Sequence, residues 1–114
     1  MGNKDVLLAA NAAVMRGDNE GFLAFCIDTV VWNFVGEQTL SSKAAVRQYL
    51  TDTYLEPPKF DVETLIAEGD YVTAVGKIDL KGRDGILLHY SYCDVWRFED
   101  GKMAELTAFV IEIK

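Results

Sequence analysis

The sequence predicts an α+β domain in which N-terminal helices pack into the concave face of a curved, mainly antiparallel sheet. Two features carry that expectation. Apolar residues recur at helical spacing up to Pro57-Pro58, and beyond it long stretches alternate with the two-residue period of strands. The dipeptide Asp100-Gly101, set between two such stretches, is a strong hairpin signal. Half of the 114 residues are apolar or aromatic, enough for one continuous core, and the length leaves no room for a second domain, so residues 1–114 read as a single unit.

The elements follow in order. From Lys4 to Arg16, the residues Val6, Leu7, Leu8, Ala9, Ala10, Ala12, Ala13, Val14 and Met15 surround almost the whole helix with apolar side chains, which predicts a helix buried nearly all round. Gly17 supplies a stop, and Asp18 an N-cap for a short helix from Asn19 to Cys26. Thr29 to Val35 is β-branched and aromatic, hence a strand, closed by Gly36-Glu37-Gln38. Ser41 and Ser42 offer caps for a third helix, in which Val46, Tyr49, Leu50 and Tyr54 share a face and which Pro57-Pro58 ends. Four strands complete the chain: Phe60 to Ala67, Tyr71 to Leu80, Ile86 to Glu99 and Lys102 to Ile113. Strands of this length twist and curl, so their concave side can wrap the helices around a cone-shaped interior.

Charge and composition narrow the partners. A net charge of −7 argues against nucleic acid, which is bound through clustered Lys and Arg, and against anionic membranes. No apolar run approaches the roughly 18 residues of a spanning helix, and the opening residues lack the order of a signal peptide, so a cytoplasmic protein is expected. Cys26 and Cys93 lack ligand spacing, and His89 is the single histidine; no metal and no cofactor is expected.

One strand concentrates chemistry. Alternation puts Tyr90, Tyr92, Asp94, Trp96 and Phe98 on one face. A carboxyl among four rings must find donors or keep its proton, because removing its charge from water is expensive. Two readings stand: Asp94 bonds Tyr or Trp donors and pins the core, or it serves a ligand as acid or hydrogen-bond donor. In the preceding strand Val72, Ala74, Gly76, Ile78 and Leu80 share the inner face; Ala74 and Gly76 are small at its centre, which leaves room for a ligand or for close approach of a helix. In the last strand Leu106, Ala108 and Val110 face inward. On the convex side Val75, Val95, Phe109 and Ile111 remain, and a homodimer through that face is expected.

Three fragments in order, Arg16-Gly17-Asp18, Val31-Trp32-Asn33-Phe34-Val35-Gly36 and Ala44-Ala45-Val46-Arg47-Gln48-Tyr49-Leu50, resemble the opening half of SnoaL-like proteins. Glu68-Gly69-Asp70 and the run from Asp94 through Trp96-Arg97-Phe98-Glu99 to Met103 resemble that family's later turn, penultimate strand and hairpin. The resemblance spans nearly the whole chain and implies the cystatin-like cone of the nuclear transport factor 2-like superfamily. Ketosteroid isomerases belong there too. Similarity to them places their protonated Asp on Asp94, their general base on Asn33 and their oxyanion Tyr near Ala10; an amide cannot act as that base, so steroid isomerisation by the usual mechanism is not expected. Polyketide cyclases of the SnoaL type use a late acidic residue, for which Glu112 alone has the inward parity. Limonene epoxide hydrolases use an Asn that Asn33 resembles, but Lys77-Ile78-Asp79 points its charged pair away from the interior and Val110-Ile111 replaces their second Asp.

The expectation is therefore a cavity for a small apolar, oxygen-bearing molecule, with Asp94 as acid or donor and Asn33 orienting. Tyr49, Ala74, Gly76, Ile78, Tyr90, Tyr92, Trp96, Leu106, Ala108 and Val110 are expected to line it. An isomerase, cyclase or hydrolase, a non-catalytic carrier or sensor, and a dimerisation module with a filled core are the competing roles.

Overall fold

The computed structural model describes residues 2–114. Three helices, α1 (Asn3–Met15), α2 (Asn19–Leu23) and α3 (Lys43–Thr53), pack against one six-stranded sheet of β1 (Cys26–Phe34), β2 (Gln38–Ser41), β3 (Lys59–Glu68), β4 (Tyr71–Lys81), β5 (Leu87–Glu99) and β6 (Lys102–Glu112). The spatial order is β2-β1-β6-β5-β4-β3. All pairs are antiparallel except β1 with β6, which run parallel with Trp32 opposite Leu106 and Phe34 opposite Ala108. The α+β class and the helix-lined concave sheet are as the sequence predicts.

Local chemistry sets the boundaries. The Asp18 carboxylate accepts from the Gly21 amide at 2.8 Å and the Ser42 hydroxyl accepts from the Ala45 amide at 3.2 Å, each satisfying a donor at a helix start. Asp100 and Gly101 both adopt positive φ, the conformation of a tight hairpin between β5 and β6. Several details differ from the sequence expectation. Helix α2 stops at Leu23, not Cys26, and β1 begins at Cys26, not Thr29. Strand β2 was not expected, since the four-residue Gln38–Ser41 carries no alternation of its own; it forms by folding back on β1. Ser41 ends β2 and leaves the capping of α3 to Ser42. Helix α1 is not buried all round: Val6, Leu7, Ala10, Ala13 and Val14 face the core, while Leu8, Ala12 and Met15 form an exposed stripe.

The concave face holds one core. Val72, Ala74, Ile78, Trp96, Phe98, Met103, Leu106 and Ala108 from the sheet meet Leu7, Ala10 and Val14 of α1, Phe22 and Leu23 of α2, and Val46 and Leu50 of α3. Arg47 grips Glu20 through two bonds of 2.8 and 3.1 Å and joins α3 to α2. This pair is solvent-exposed and contributes little; burial of the apolar faces dominates. Curvature comes from register shifts in β3 between Val62 and Thr64, and in the β5–β6 pair between Arg97 and Phe98.

Gly76 is part of that bend. A Cβ there would fall on the Asp61 carbonyl of β3 and within 3.0 Å of the Tyr92 hydroxyl. Its smallness therefore serves close approach of a strand, not of a helix and not of a ligand. Gly76→Val should destabilise the domain by about 2–3 kcal/mol, as overpacking does, and a fall in the urea midpoint with unchanged slope would register it.

Candidate functional site

Where α1 and α3 do not fill the concave face, a cavity of about 280 Å³ remains. Strand β5 contributes Tyr90, Tyr92, Asp94 and Trp96 to its wall; β6 contributes Leu106, Ala108 and Val110; β1 contributes Trp32 and Phe34. Tyr49 and Leu50 of α3, and Tyr54 just after it, close the helical side, while Phe60, Ile78 and Leu80 come from β3 and β4. Exposed Glu37, on the β1–β2 turn, stands at the rim. Register explains the free space above Asp94, which lies between Ala108 on β6 and Ala74 on β4, two side chains too short to cover it.

Aromatic edges define the interior. Trp32 meets Phe22, Phe34, Tyr49 and Trp96 in edge-to-face arrangements, with ring centroids 5.6, 5.9, 5.9 and 6.0 Å away. Phe34 and Tyr49 are tilted together at 5.1 Å. Such packing holds the wall rigid.

Burial pushes the Asp94 carboxyl up to about 7. Burial is the cause, and no hydrogen bond or opposite charge among the described residues offsets it. The alternative in which Tyr or Trp donors pin Asp94 is thus not what the structure shows. Burial also raises the hydroxyls of Tyr49, Tyr54, Tyr90 and Tyr92, the last to about 12, and the proximity of Asp94 adds to this at Tyr54 and Tyr92. These tyrosines are neutral donors at physiological pH. Trp32 Nε1 and Tyr92 Oη are buried with no protein hydrogen-bond partner.

Of the residues expected at the site, Tyr49, Ile78, Tyr90, Tyr92, Asp94, Trp96, Leu106, Ala108 and Val110 line the cavity. Three do not. Asn33 alternates with Trp32 and Phe34, so its side chain is on the opposite face, where its oxygen accepts from the Thr39 hydroxyl at 3.4 Å. Ala74 is buried in the core, and Gly76 lies under Asp61. Glu112 is exposed at the end of β6 and does not reach the wall. Trp32, Phe34, Glu37 and Tyr54 were missed; the alternation Val30, Trp32, Phe34 was the available signal for two of them. Cys26 is buried, with its thiol pushed up to about 12, and Cys93 is half-buried on the outer face; both are free. His89 bonds Asp79 at 2.6 Å, away from the cavity.

Among the described residues no group of three or more metal-ligating side chains gathers, and no helix is long and apolar enough to cross a membrane. Comparison with known proteins adds the lineage. The family described as SnoaL-like domain matches residues 7–106. No curated protein matches the chain. Among solved structures, an epoxide hydrolase/cyclase-like enzyme, SalBIII, of pyran ring formation in the polyether salinomycin superposes with a TM-score of 0.88 at 16% identity, covering 95% of this chain and 89% of that one. An epoxide hydrolase from M. tuberculosis, like limonene epoxide hydrolase, gives 0.84 at 15% identity, over 95% and 81% of the two chains. A nuclear transport factor 2-like protein of unknown function from Cytophaga hutchinsonii gives 0.75 at 23% identity, over 96% and 100%. At these identities the likeness establishes the fold.

The raised Asp94 has a sign that stability must follow. The native state holds its proton to about pH 7, whereas the unfolded chain releases it in the ordinary carboxylate range. Its contribution is therefore fully present in acid and lost as pH rises through about 7, by no more than about 4 kcal/mol. Asp94→Asn should raise the melting temperature at about pH 8 and leave it nearly unchanged near pH 4; equal shifts at both would show that Asp94 is not neutral in the native state.

Proposed function

The chain belongs to the SnoaL-like domain family, and from that membership and the cavity we propose that it binds a small apolar, oxygen-bearing molecule and acts on it without a cofactor, as an isomerase, cyclase or hydrolase with Asp94 as the acid. The observation carrying this reading is a single carboxyl, pushed up to about 7 and without a protein partner, in the wall of an aromatic cavity. An acid that titrates near working pH donates and recovers its proton at little cost. As a C–O bond opens or an enol forms, negative charge grows on the ligand oxygen, and Asp94 meets it. The neutral tyrosines along the wall hold the ligand's polar end.

Asn33, in the position of the usual base, is on the wrong face and has the wrong chemistry. Glu37 is the other carboxylate lining the cavity and takes that role, accepting a proton from the ligand or from an attacking water at the rim. The epoxide hydrolase and cyclase-like enzymes of the same fold support opening of an epoxide or ether ring, a step in which Asp94 would protonate the oxygen as its C–O bond breaks and the water or hydroxyl that attacks the carbon gives up its proton to Glu37. A carrier or sensor is the second reading, favoured by the displaced Asn33; there the same groups hold the ligand and no bond changes. Free space above Asp94 argues against a filled dimerisation module.

Thermal-shift screening with steroids, polyketide-like aromatics and terpenoid epoxides identifies the ligand class, because a ligand of the native state raises its melting temperature. For a turned-over hit, Asp94→Asn should retain binding within a few-fold and lose about 100-fold or more in rate, and Glu37→Gln should lower kcat more than it raises KM. A hit that binds without turnover supports the carrier; full activity in Asp94→Asn overturns the acid.

The convex face completes the reading with a second copy of this chain. Val75, Cys93 and Phe109 stand in one cross-strand row, with Val95 and Ile111 beside it, and Phe109 and Ile111 are 45% and 69% exposed. A two-fold axis through this row would bury it against itself. Sedimentation should show a dimer at micromolar concentration, and Phe109→Glu should give a folded monomer, since the dimer would bury an unpaired charge; a wild-type monomer rules out this interface.

A further inference from the structure

Asp94 is not the only cavity group without a partner. Trp32 and Tyr92 are 5% and 4% exposed, both line the cavity, and neither Trp32 Nε1 nor Tyr92 Oη is hydrogen-bonded. The two differ in what they can accept as a solution. A hydroxyl rotates, and that of Tyr92 lies over Gly76 toward β3. An indole N–H only donates, and four neighbouring rings hold that of Trp32 in place. Leaving such a donor buried and unmatched is unfavourable, and an acceptor carried by what fills the cavity would relieve it.

Position and charge narrow that acceptor. Trp32 is opposite Leu106 and, across β6, Trp96, one row nearer the buried end than the row of Phe34, Ala108 and Asp94, a step of roughly 7 Å along the strands. At the opposite end Val110 is exposed and Glu37 stands at the rim. No Lys, Arg or His lines the cavity, while Glu37 and Asp94 do. An anionic ligand would meet two carboxyl groups and no cation. An alkylammonium would suit the aromatic faces and the carboxyls, but offers nothing to the indole N–H.

On the reading that this cavity takes an oxygen-bearing molecule, we propose that Trp32 is its specificity-determining residue, whose indole N–H selects neutral ligands with a carbonyl or ether oxygen at their inner end. Trp32 touches the ligand and discriminates among ligands; proton transfer stays with Asp94.

Four probes on one bicyclic skeleton test this: tetralin, tetralone, the tetralin carboxylate and the protonated tetralin amine. Calorimetry on the whole protein should find tetralone bound about tenfold tighter than tetralin, the worth of one well-made hydrogen bond, with the carboxylate weakest. Trp32→Phe should erase the preference of ketone over hydrocarbon while still binding both. In the wild-type protein the Trp32 indole N–H resonance should move downfield with tetralone and not with tetralin, and this decides the matter even if Trp32→Phe does not fold. Tighter binding of the amine or the carboxylate than of the ketone, or an unmoved indole resonance at saturation, overturns the proposal. Should Asp94→Asn instead erase the preference while Trp32→Phe keeps it, the acid recognises the oxygen alone and Trp32 has no such role. A preference lost in Trp32→Phe and intact in Asp94→Asn is the expected result, and the rate of Asp94→Asn then tests the acid separately, so that either reading can fail without the other.

Discussion

Everything in this domain depends on how far the sheet can bend around three helices too few to fill it. The bulge in β3, the close approach of Asp61 to Gly76 and the shift between β5 and β6 curve the strands. Helices α1, α2 and α3 then cover part of the concave surface with a dense core and leave the rest walled but open. Cavity and core are thus one surface, divided by where side chains from the helices stop. The short Ala108 and Ala74 beside Asp94 keep that division from closing.

In this setting one carboxyl acquires unusual weight. Asp94 is held among rings by strand parity, without a donor to satisfy it, so burial acts unopposed. Partnering Asp94 with Trp32 or Tyr92 would have made a more stable protein and drawn its carboxyl back toward the ordinary range. Instead the acid and two donors are each kept unmatched along the same wall. Polar groups left unsatisfied in an otherwise apolar enclosure lower stability, and on the proposed function that loss serves recognition.

Most of the fold was legible because its signals are local. Apolar spacing announced the helices, alternation the four long strands, and Asp18, Ser42 and Asp100-Gly101 their boundaries. Strand β2 was not legible, since Gln38–Ser41 owes its conformation to pairing with β1 and not to its own composition. The same division holds at the site. Parity along β5 and β6 was enough to collect Asp94 with Tyr90, Tyr92, Trp96, Leu106, Ala108 and Val110. Asn33 was misplaced because resemblance to relatives was followed where the alternation Val30, Trp32, Phe34 pointed the other way. Gly76 was misread for a different reason: small residues signal empty space and close approach equally well, and only the position of the Asp61 carbonyl distinguishes them.

The parallel pairing of β1 with β6 bears on how the chain reaches this state during synthesis. Trp32 and Phe34 find their sheet neighbours in Leu106 and Ala108, at the far end of the chain. The β1–β2 hairpin emerges from the ribosome early, yet the strand that pairs with β1 on its other edge is β6, made after β3, β4 and β5. Contacts this distant in sequence slow folding, because the intervening loop must close before any of them forms. The order of the strands therefore makes assembly a late, concerted event, with the aromatic surface of β1 open to chaperones or to aggregation until β6 arrives.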